Sequence, residues 1–340
     1  MITNDKNIKN LFQYWITTCL VLVFFIIIVG GLTRLTNSGL SITEWELFTG
    51  ILPPLSETTW DEYFSKYKEI PQFKLLNPDM NLNEFKIIFY WEYFHRVLAR
   101  IIGIFFLIPL IYFYFSNRFK NKMNICYTIF FLIIFQGLIG WYMVKSGLAY
   151  DVTVSHYRLS IHLIMAFIII SMLFWLIINI NKKKNKIFFN LKKGNLHFLI
   201  LIFLIFLQII FGAFMSGLDA GRIYQTWPLM GYSYFPNDVK LLELGNIFDF
   251  NNHSVVQFYH RNLAYLIAIY ILYLSFYIYK KNFKKLFEPL KLLIYFLSLQ
   301  IILGIFTLVS GLNIYLASAH QISSVLLVFS AINLYYFQAK

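Results

Sequence analysis

Residues 11–32 read LFQYWITTCLVLVFFIIIVGGL, a run of 22 residues without a charged side chain. About 20 predominantly apolar residues in a helix span the roughly 30 Å of hydrocarbon in a bilayer. The run is too long for the apolar core of a signal peptide, so we expect it to be retained as a helix. Similar runs recur, and we predict eight membrane-spanning helices, at residues 12–32, 87–115, 125–144, 159–180, 196–214, 255–279, 290–309 and 314–336.

The composition excludes a soluble fold. Of the 340 residues, 59% are hydrophobic and 13% are charged, whereas a soluble domain has about 45–50% apolar and about 25% charged residues. Only helices and closed barrels satisfy their backbone hydrogen bonds in lipid, and the ten-residue alternating segments of a barrel are absent. We therefore predict an all-α integral membrane protein.

The placement of basic residues predicts the orientation. Seventeen of the 29 Lys and Arg residues lie in the N-terminal segment, the connections after the second, fourth and sixth helices, and the last residue. These segments carry only two acids, Asp5 and Glu288. By the positive-inside rule both termini are cytoplasmic, and the long connections 33–86 and 215–254 lie outside. The net charge of +13 is thus a topology signal, and we expect no nucleic-acid partner.

A recurring pattern in the odd-numbered helices indicates duplication. A glutamine precedes a glycine by four residues in three of them, and Ser-Gly-Leu ends all four. Tight helix packing alone explains small residues at such spacing, but their repetition also favours two parallel repeats. We predict two four-helix bundles with a cytoplasmic linker, at 1–179, 180–195 and 196–340. The matches are Gln136–Gly140, Gln208–Gly212 and Gln300–Gly304, with Ser-Gly-Leu at 38–40, 146–148, 216–218 and 310–312.

Four histidines lie near the outer ends of the even-numbered helices: His95, His162, His260 and His320. Each follows its predicted helix start by a few residues, which places all four roughly 5–12 Å below the outer surface. A single intramembrane histidine can be a neutral group bonded to a neighbouring helix. Two per bundle at one depth favour imidazole pairs that ligate haem iron, since zinc would need further ligands. Because all four histidines lie near the same membrane face, we expect no electron-transfer path across the membrane between haems bound there.

The two halves differ three residues before each His-Arg pair. Glu92 precedes His95, whereas Gln257 precedes His260. Residues three apart share a helix face, so Glu92 is expected to point toward whatever His95 binds. It could take a proton or stabilise a developing cation there. The alternatives are a simple ion pair with Arg96 or an interfacial carboxylate.

Long motifs carry a resemblance to a known family. The chain is similar to the haem A synthases of the proteobacterial and mitochondrial type over nearly its whole length. The matching motifs are GGLTRLTNSGLSITEW (30–45), IPQFKLLN (70–77), EFK (84–86), WEYFHR (91–96), YRLSIHL (157–163), SGLDAG (216–221), WPLMG (227–231), QFYHR (257–261) and HQ (320–321).

This resemblance implies an oxidoreductase that converts a methyl group of haem O to the formyl group of haem A for cytochrome oxidase. By matching position, His260 and His320 would ligate a resident haem b. His95 and His162 would ligate the substrate haem, with Glu92 beside it as the catalytic residue. Dioxygen and water are both possible sources of the inserted oxygen atom.

The resemblance also implies partners and a location. Haem O synthase would deliver the substrate, an unidentified electron-transfer partner would act with the enzyme, and the protein would lie in the inner membrane with its haem sites toward the periplasm. A homo-oligomer is one possible assembly. Some members carry an outer-loop cysteine pair, but Cys19 and Cys126 lie inside apolar runs.

Two further questions stay open in the sequence. Arg34, Arg96 and Arg261 are candidates for contacts to haem propionates, or are simply interfacial arginines. The rival functions are a dihaem b-type electron carrier without chemistry on the haem, and a transporter built from parallel repeats.

Overall fold

The computed structural model describes residues 2–45, 49–150, 152–180, 186–239 and 244–339. These ranges form eleven α-helices joined by turns and short 3₁₀ segments. The helices are α1 (Ile2–Leu35), α2 (Glu57–Glu69), α3 (Pro71–Leu76), α4 (Leu82–Phe115), α5 (Lys120–Tyr150), α6 (His156–Asn179), α7 (Lys193–Gly217), α8 (Leu244–Ile247), α9 (His253–Lys280), α10 (Phe287–Val309) and α11 (Ile314–Gln338).

Eight of these helices are long and apolar enough to cross a membrane: α1, α4, α5, α6, α7, α9, α10 and α11. The prediction of an all-α membrane protein with eight spanning helices is confirmed. Most helices extend beyond their apolar runs. The α4 helix, for example, begins at Leu82 because a capping box precedes it: the Asn81 side chain accepts from two backbone amides, and the Glu84 carboxylate accepts from the Asn81 amide. The cytoplasmic placement of the termini stays a prediction.

The predicted outer connection of the first half, residues 33–86, contains two short α-helices, α2 and α3, where the sequence indicated a loop. The α2 helix is amphipathic and buries Trp60, Phe64 and Tyr67. These rings pack edge-on, stacked or tilted against Phe85 and Phe89 near the start of α4. The connection is therefore anchored on the helix that carries His95, one to three turns above that residue.

The chain divides into two compact units, residues 1–180 and 181–340. Within the first, α1 and α5 each pack against both α4 and α6; within the second, α7 and α10 each pack against both α9 and α11. In each bundle, the two histidine-bearing helices therefore face each other across the centre. The duplication and the division of roles between 1–179 and 196–340 stay predictions, and residues 181–185 of the predicted linker lie outside the described residues.

Candidate functional site

The first histidine pair spans the centre of its bundle. His95 on α4 and His162 on α6 have ring centroids 6.3 Å apart, with their planes at 69°. Metal bonds of about 2 Å to one nitrogen of each ring would place the centroids roughly 6 Å apart. Both side chains are partly exposed. The spacing thus suits two imidazoles on opposite sides of one metal ion.

The second pair has the same placement. His260 on α9 and His320 on α11 lie on the two helices that α7 and α10 both pack against, and both residues are partly exposed. In the described part of the chain, Nδ1 of His320 and Nδ1 of His162 are buried without a hydrogen-bond partner. Such atoms are uncommon in folded proteins, and each of these two rings therefore has a polar atom that no protein group uses. A ligated metal on the same ring would fix its tautomer and orientation.

Each of the four imidazoles packs against a glycine on a neighbouring helix. A Cβ atom added to any of these glycines would lie within 3.4 Å of a ring atom, so a larger residue would push the ring away. The added Cβ would lie 3.1 Å from His95 at Gly30, 3.1 Å from His162 at Gly140, 3.4 Å from His260 at Gly212 and 3.0 Å from His320 at Gly304.

The three glutamines of the repeated pattern bind the backbone of the histidines. The amide nitrogen of each donates to the main-chain carbonyl of the histidine opposite, linking the odd helix to the even one. The spacing in the sequence indicated only helix packing and duplication, and it did not reveal these bonds. They are Gln136 to His162 at 2.9 Å, Gln208 to His260 at 3.0 Å and Gln300 to His320 at 2.8 Å.

Glu92 is buried, with 2% of its surface exposed, and both carboxylate oxygens are bonded. One oxygen accepts from Arg96 at 2.6 and 3.1 Å. The other accepts from the Ser41 hydroxyl at 2.7 Å and the Ile42 amide at 2.9 Å. The ion pair considered in the sequence analysis is present, and Glu92 also holds the outer connection against α4, one turn before His95.

The second half holds its outer connection with the same two positions. The Gln257 amide, fully buried, donates to the Tyr224 carbonyl at 2.8 Å. Arg261 donates to the same carbonyl at 3.0 Å and to the Leu229 carbonyl at 3.2 Å. Both halves therefore use the same two helix positions to bind the connection that precedes the helix. The main difference between them is the negative charge of Glu92, which Gln257 lacks.

The candidate arginines bind protein groups. Beyond its ion pair, Arg96 donates to the Ile42 carbonyl at 3.0 Å and the Glu44 carbonyl at 3.2 Å. Arg34, near the end of α1, donates to the Asn37 side chain at 2.9 Å. Their contact with haem propionates stays a prediction, as does that of Arg261.

Charged and polar groups stabilise the first outer connection. Hydrogen bonds to Glu62 (2.8 Å) and to Glu44 (3.0 Å) raise the pKa of the Lys66 ammonium. Burial raises the pKa of the Tyr67 hydroxyl, and the negative charge of Glu92 raises it further.

Other metal-binding arrangements find little support. Across the described ranges, no three His, Cys, Asp or Glu side chains converge as a metal site. Cys19 and Cys126 are buried free thiols in the first unit. The histidine pairs are thus the groups best placed to hold iron, with a flat macrocycle supplying the remaining ligands.

Comparison with known proteins identifies the family. A family profile described as cytochrome oxidase assembly protein (COX15-CtaA) matches residues 13–332. The chain belongs to the COX15-CtaA family. The match extends through both units and includes all four candidate histidines and Glu92, so the resemblance noted from the motifs is confirmed.

Individual members of the COX15-CtaA family are similar over nearly their full length. The chain is 48% identical over 337 residues to the heme A synthase of Pelagibacter ubique strain HTCC1062, covering 97% of each. It is 42% identical over 328 residues to that of Rickettsia bellii strain OSU 85-389, covering 94% of this chain and 96% of the relative. It is 41% identical over 325 residues to the heme A synthase of Nitrosospira multiformis, covering 94% of this chain and 90% of the relative.

Proposed function

We propose that this chain is a haem A synthase, an oxidoreductase that converts a methyl substituent of haem O to the formyl group of haem A. The names of the similar proteins support this activity. The structural observation that carries it is the pair His95 and His162, facing each other at a ring spacing of 6.3 Å. That spacing suits a bis-imidazole grip on the iron of a planar haem substrate.

The two pairs are assigned different haems. His95 and His162 bind the substrate haem, and His260 and His320 hold a resident haem b. The resident group, when bound, supplies one-electron redox chemistry. Support for the division comes from the carboxylate of Glu92, because the matching position of the other half, Gln257, carries no charge. A half that only retains a cofactor needs no acid.

Glu92 is proposed as the catalytic residue of the first half. Oxidation at a carbon attached to the macrocycle develops positive charge, and a preorganised carboxylate in a water-poor site stabilises such charge. Four hydrogen bonds from Ser41, Ile42 and Arg96 fix its orientation. These bonds hold the carboxylate in place before the substrate arrives, so little reorganisation is needed during the reaction.

The location and the partners belong to the same proposal. The eight spanning helices make this a multi-pass membrane protein, and we place it in the inner membrane with both haem sites toward the periplasmic side. Haem O synthase supplies the substrate, and a separate protein exchanges electrons with the resident haem. The product serves cytochrome oxidase assembly, in keeping with the description of the family.

Two glycines of α5, Gly140 and Gly137, differ in their contact with the His162 ring, and this difference can be tested. Gly140→Ala is expected to lower the substrate-haem content of the purified protein severalfold, because the new Cβ would lie 3.1 Å from the His162 ring. Gly137→Ala is the matched control, since no atom lies within 4 Å of its added Cβ. That control should bind haem normally. Equal haem contents in both variants would contradict the placement of His162 as a ligand.

The proposed activity can be tested in a host that makes haem O but no haem A. Expression of this chain should convert part of the haem O in its membranes to haem A, measured by extraction and chromatography. Both rival functions, the dihaem electron carrier and the transporter, predict that haem O stays unconverted.

A further inference from the structure

Three of the four candidate ligands accept a backbone hydrogen bond from a glutamine on a neighbouring helix, which we call a brace. The fourth, His95, has no glutamine at the matching position. Gln136, Gln208 and Gln300 each precede by four residues the glycine that touches the opposing ring. The glycine against His95 is Gly30, and four residues before it stands Ile26, partly buried on α1. Residues four apart share a helix face. Ile26 therefore occupies the glutamine position but offers no hydrogen-bond donor.

The His95 ring also lies differently against its glycine. At Gly140, Gly212 and Gly304, the ring atom nearest to the added Cβ is Cε1, with Nδ1 next. At Gly30 the nearest atom is Nε2 of His95, with Cδ2 next. Three rings thus share one orientation, and the ring without a glutamine takes another. The two differences are separate observations at the same position.

The brace has a direct mechanical effect on a ligand. A glutamine N–H that donates to the carbonyl of the ligand residue ties the ligand helix to its neighbour at that level of the bundle. The Gln208 nitrogen also lies 3.2 Å from Nδ1 of His260, so this amide reaches the ring as well as the backbone. A side chain in contact with a ligand ring restricts the orientation of that ring, as groups around a metal ligand commonly do.

We propose that Gln136, Gln208 and Gln300 are positioning residues for three axial histidines, and that Ile26 leaves His95 as the ligand that yields when substrate enters and product leaves. The inference rests on the proposed function, because it assigns the substrate haem to the first half. Both ligands of the resident haem are braced, whereas only one ligand of the substrate haem is. An enzyme must exchange the second haem at every turnover and keep the first.

The test introduces the missing brace. Haem leaves the purified, haem-loaded protein for excess apomyoglobin, and the rate is followed by the Soret spectrum. Ile26→Gln is expected to slow release of haem O or A by roughly three- to tenfold, the effect of one interhelical hydrogen bond. Ile26→Leu is the matched control and should release haem at the wild-type rate. Equal rates in the two variants would overturn the inference.

A second variant tests the proposed positioning role of the glutamines, and its result does not depend on the Ile26 variants. Gln208→Met keeps the length of the side chain and removes its donor. It should speed release of the resident haem b by a similar factor and shift its low-spin electron paramagnetic resonance signal, while the thermal midpoint changes little. An unchanged rate and signal would also overturn the inference. If the wild-type chain binds no haem at all, the proposed function itself fails, which is a separate outcome.

Discussion

Replacing Glu92 with glutamine is expected to lower haem A formation by about 100- to 1,000-fold, the usual effect of losing a preorganised electrostatic group. The amide keeps the shape of the side chain, and its oxygen can still accept from Ser41 and Ile42. Its NH₂ group no longer accepts from Arg96, but Arg96 keeps its bonds to the Ile42 and Glu44 carbonyls, so both haems should remain bound. Haem A per chain in membranes measures the first effect. The visible spectrum of the purified variant measures the second.

Ser41→Ala separates the two roles of Glu92. This change removes the hydroxyl that donates to the carboxylate at 2.7 Å but keeps the negative charge. If the charge matters for the chemistry, Ser41→Ala should cost less than tenfold in product formation. Equal losses in the two variants would mean that Glu92 serves only to hold the outer connection. Wild-type production of haem A by Glu92→Gln would contradict the catalytic role outright.

Replacing His260 with alanine is expected to remove the resident haem b. A braced axial ligand on α9 would be lost, and His320 alone would hold the iron from one side. Pigment extraction from the purified protein should then show haem b falling from about one per chain to a small fraction. Product formation should fall with it, because the electron path is lost.

The control for His260 lies on the same helix. His253 is exposed at the start of α9 and is not a candidate ligand, so His253→Ala should keep its haem b. Loss of the substrate haem with retention of haem b in His260→Ala would show that the roles of the two halves are exchanged. Unchanged pigment would show that His260 is not a ligand.

The spanning helices could be predicted from the sequence because the bilayer imposes a length and a composition on each. Helix ends and outer elements depend on contacts that hydropathy does not report. The Asn81 cap extends α4 beyond its apolar run. The α2 helix is short and lies among polar residues; the burial of Trp60, Phe64 and Tyr67 arises from rings on α4, which lie about 20 to 30 residues later in the chain.

The ligand candidates could be proposed for a similar reason, because an ionisable residue in an apolar run is costly and stands out. The residues that contact these histidines could not be recognised in the same way. Gln136 and Gly140 form an ordinary small-and-polar pattern until α5 is placed beside α6. The partners of Glu92 at positions 41 and 42 lie some 50 residues earlier in the chain, and no local spacing joins them.

Haem analysis of membranes from the host that makes haem O but no haem A tests the central claim most directly. The account predicts haem A in membranes carrying the wild-type chain and haem O alone in those carrying Glu92→Gln, at matched protein levels. Membranes in which the wild-type chain, present and loaded with haem, leaves haem O unconverted would contradict it.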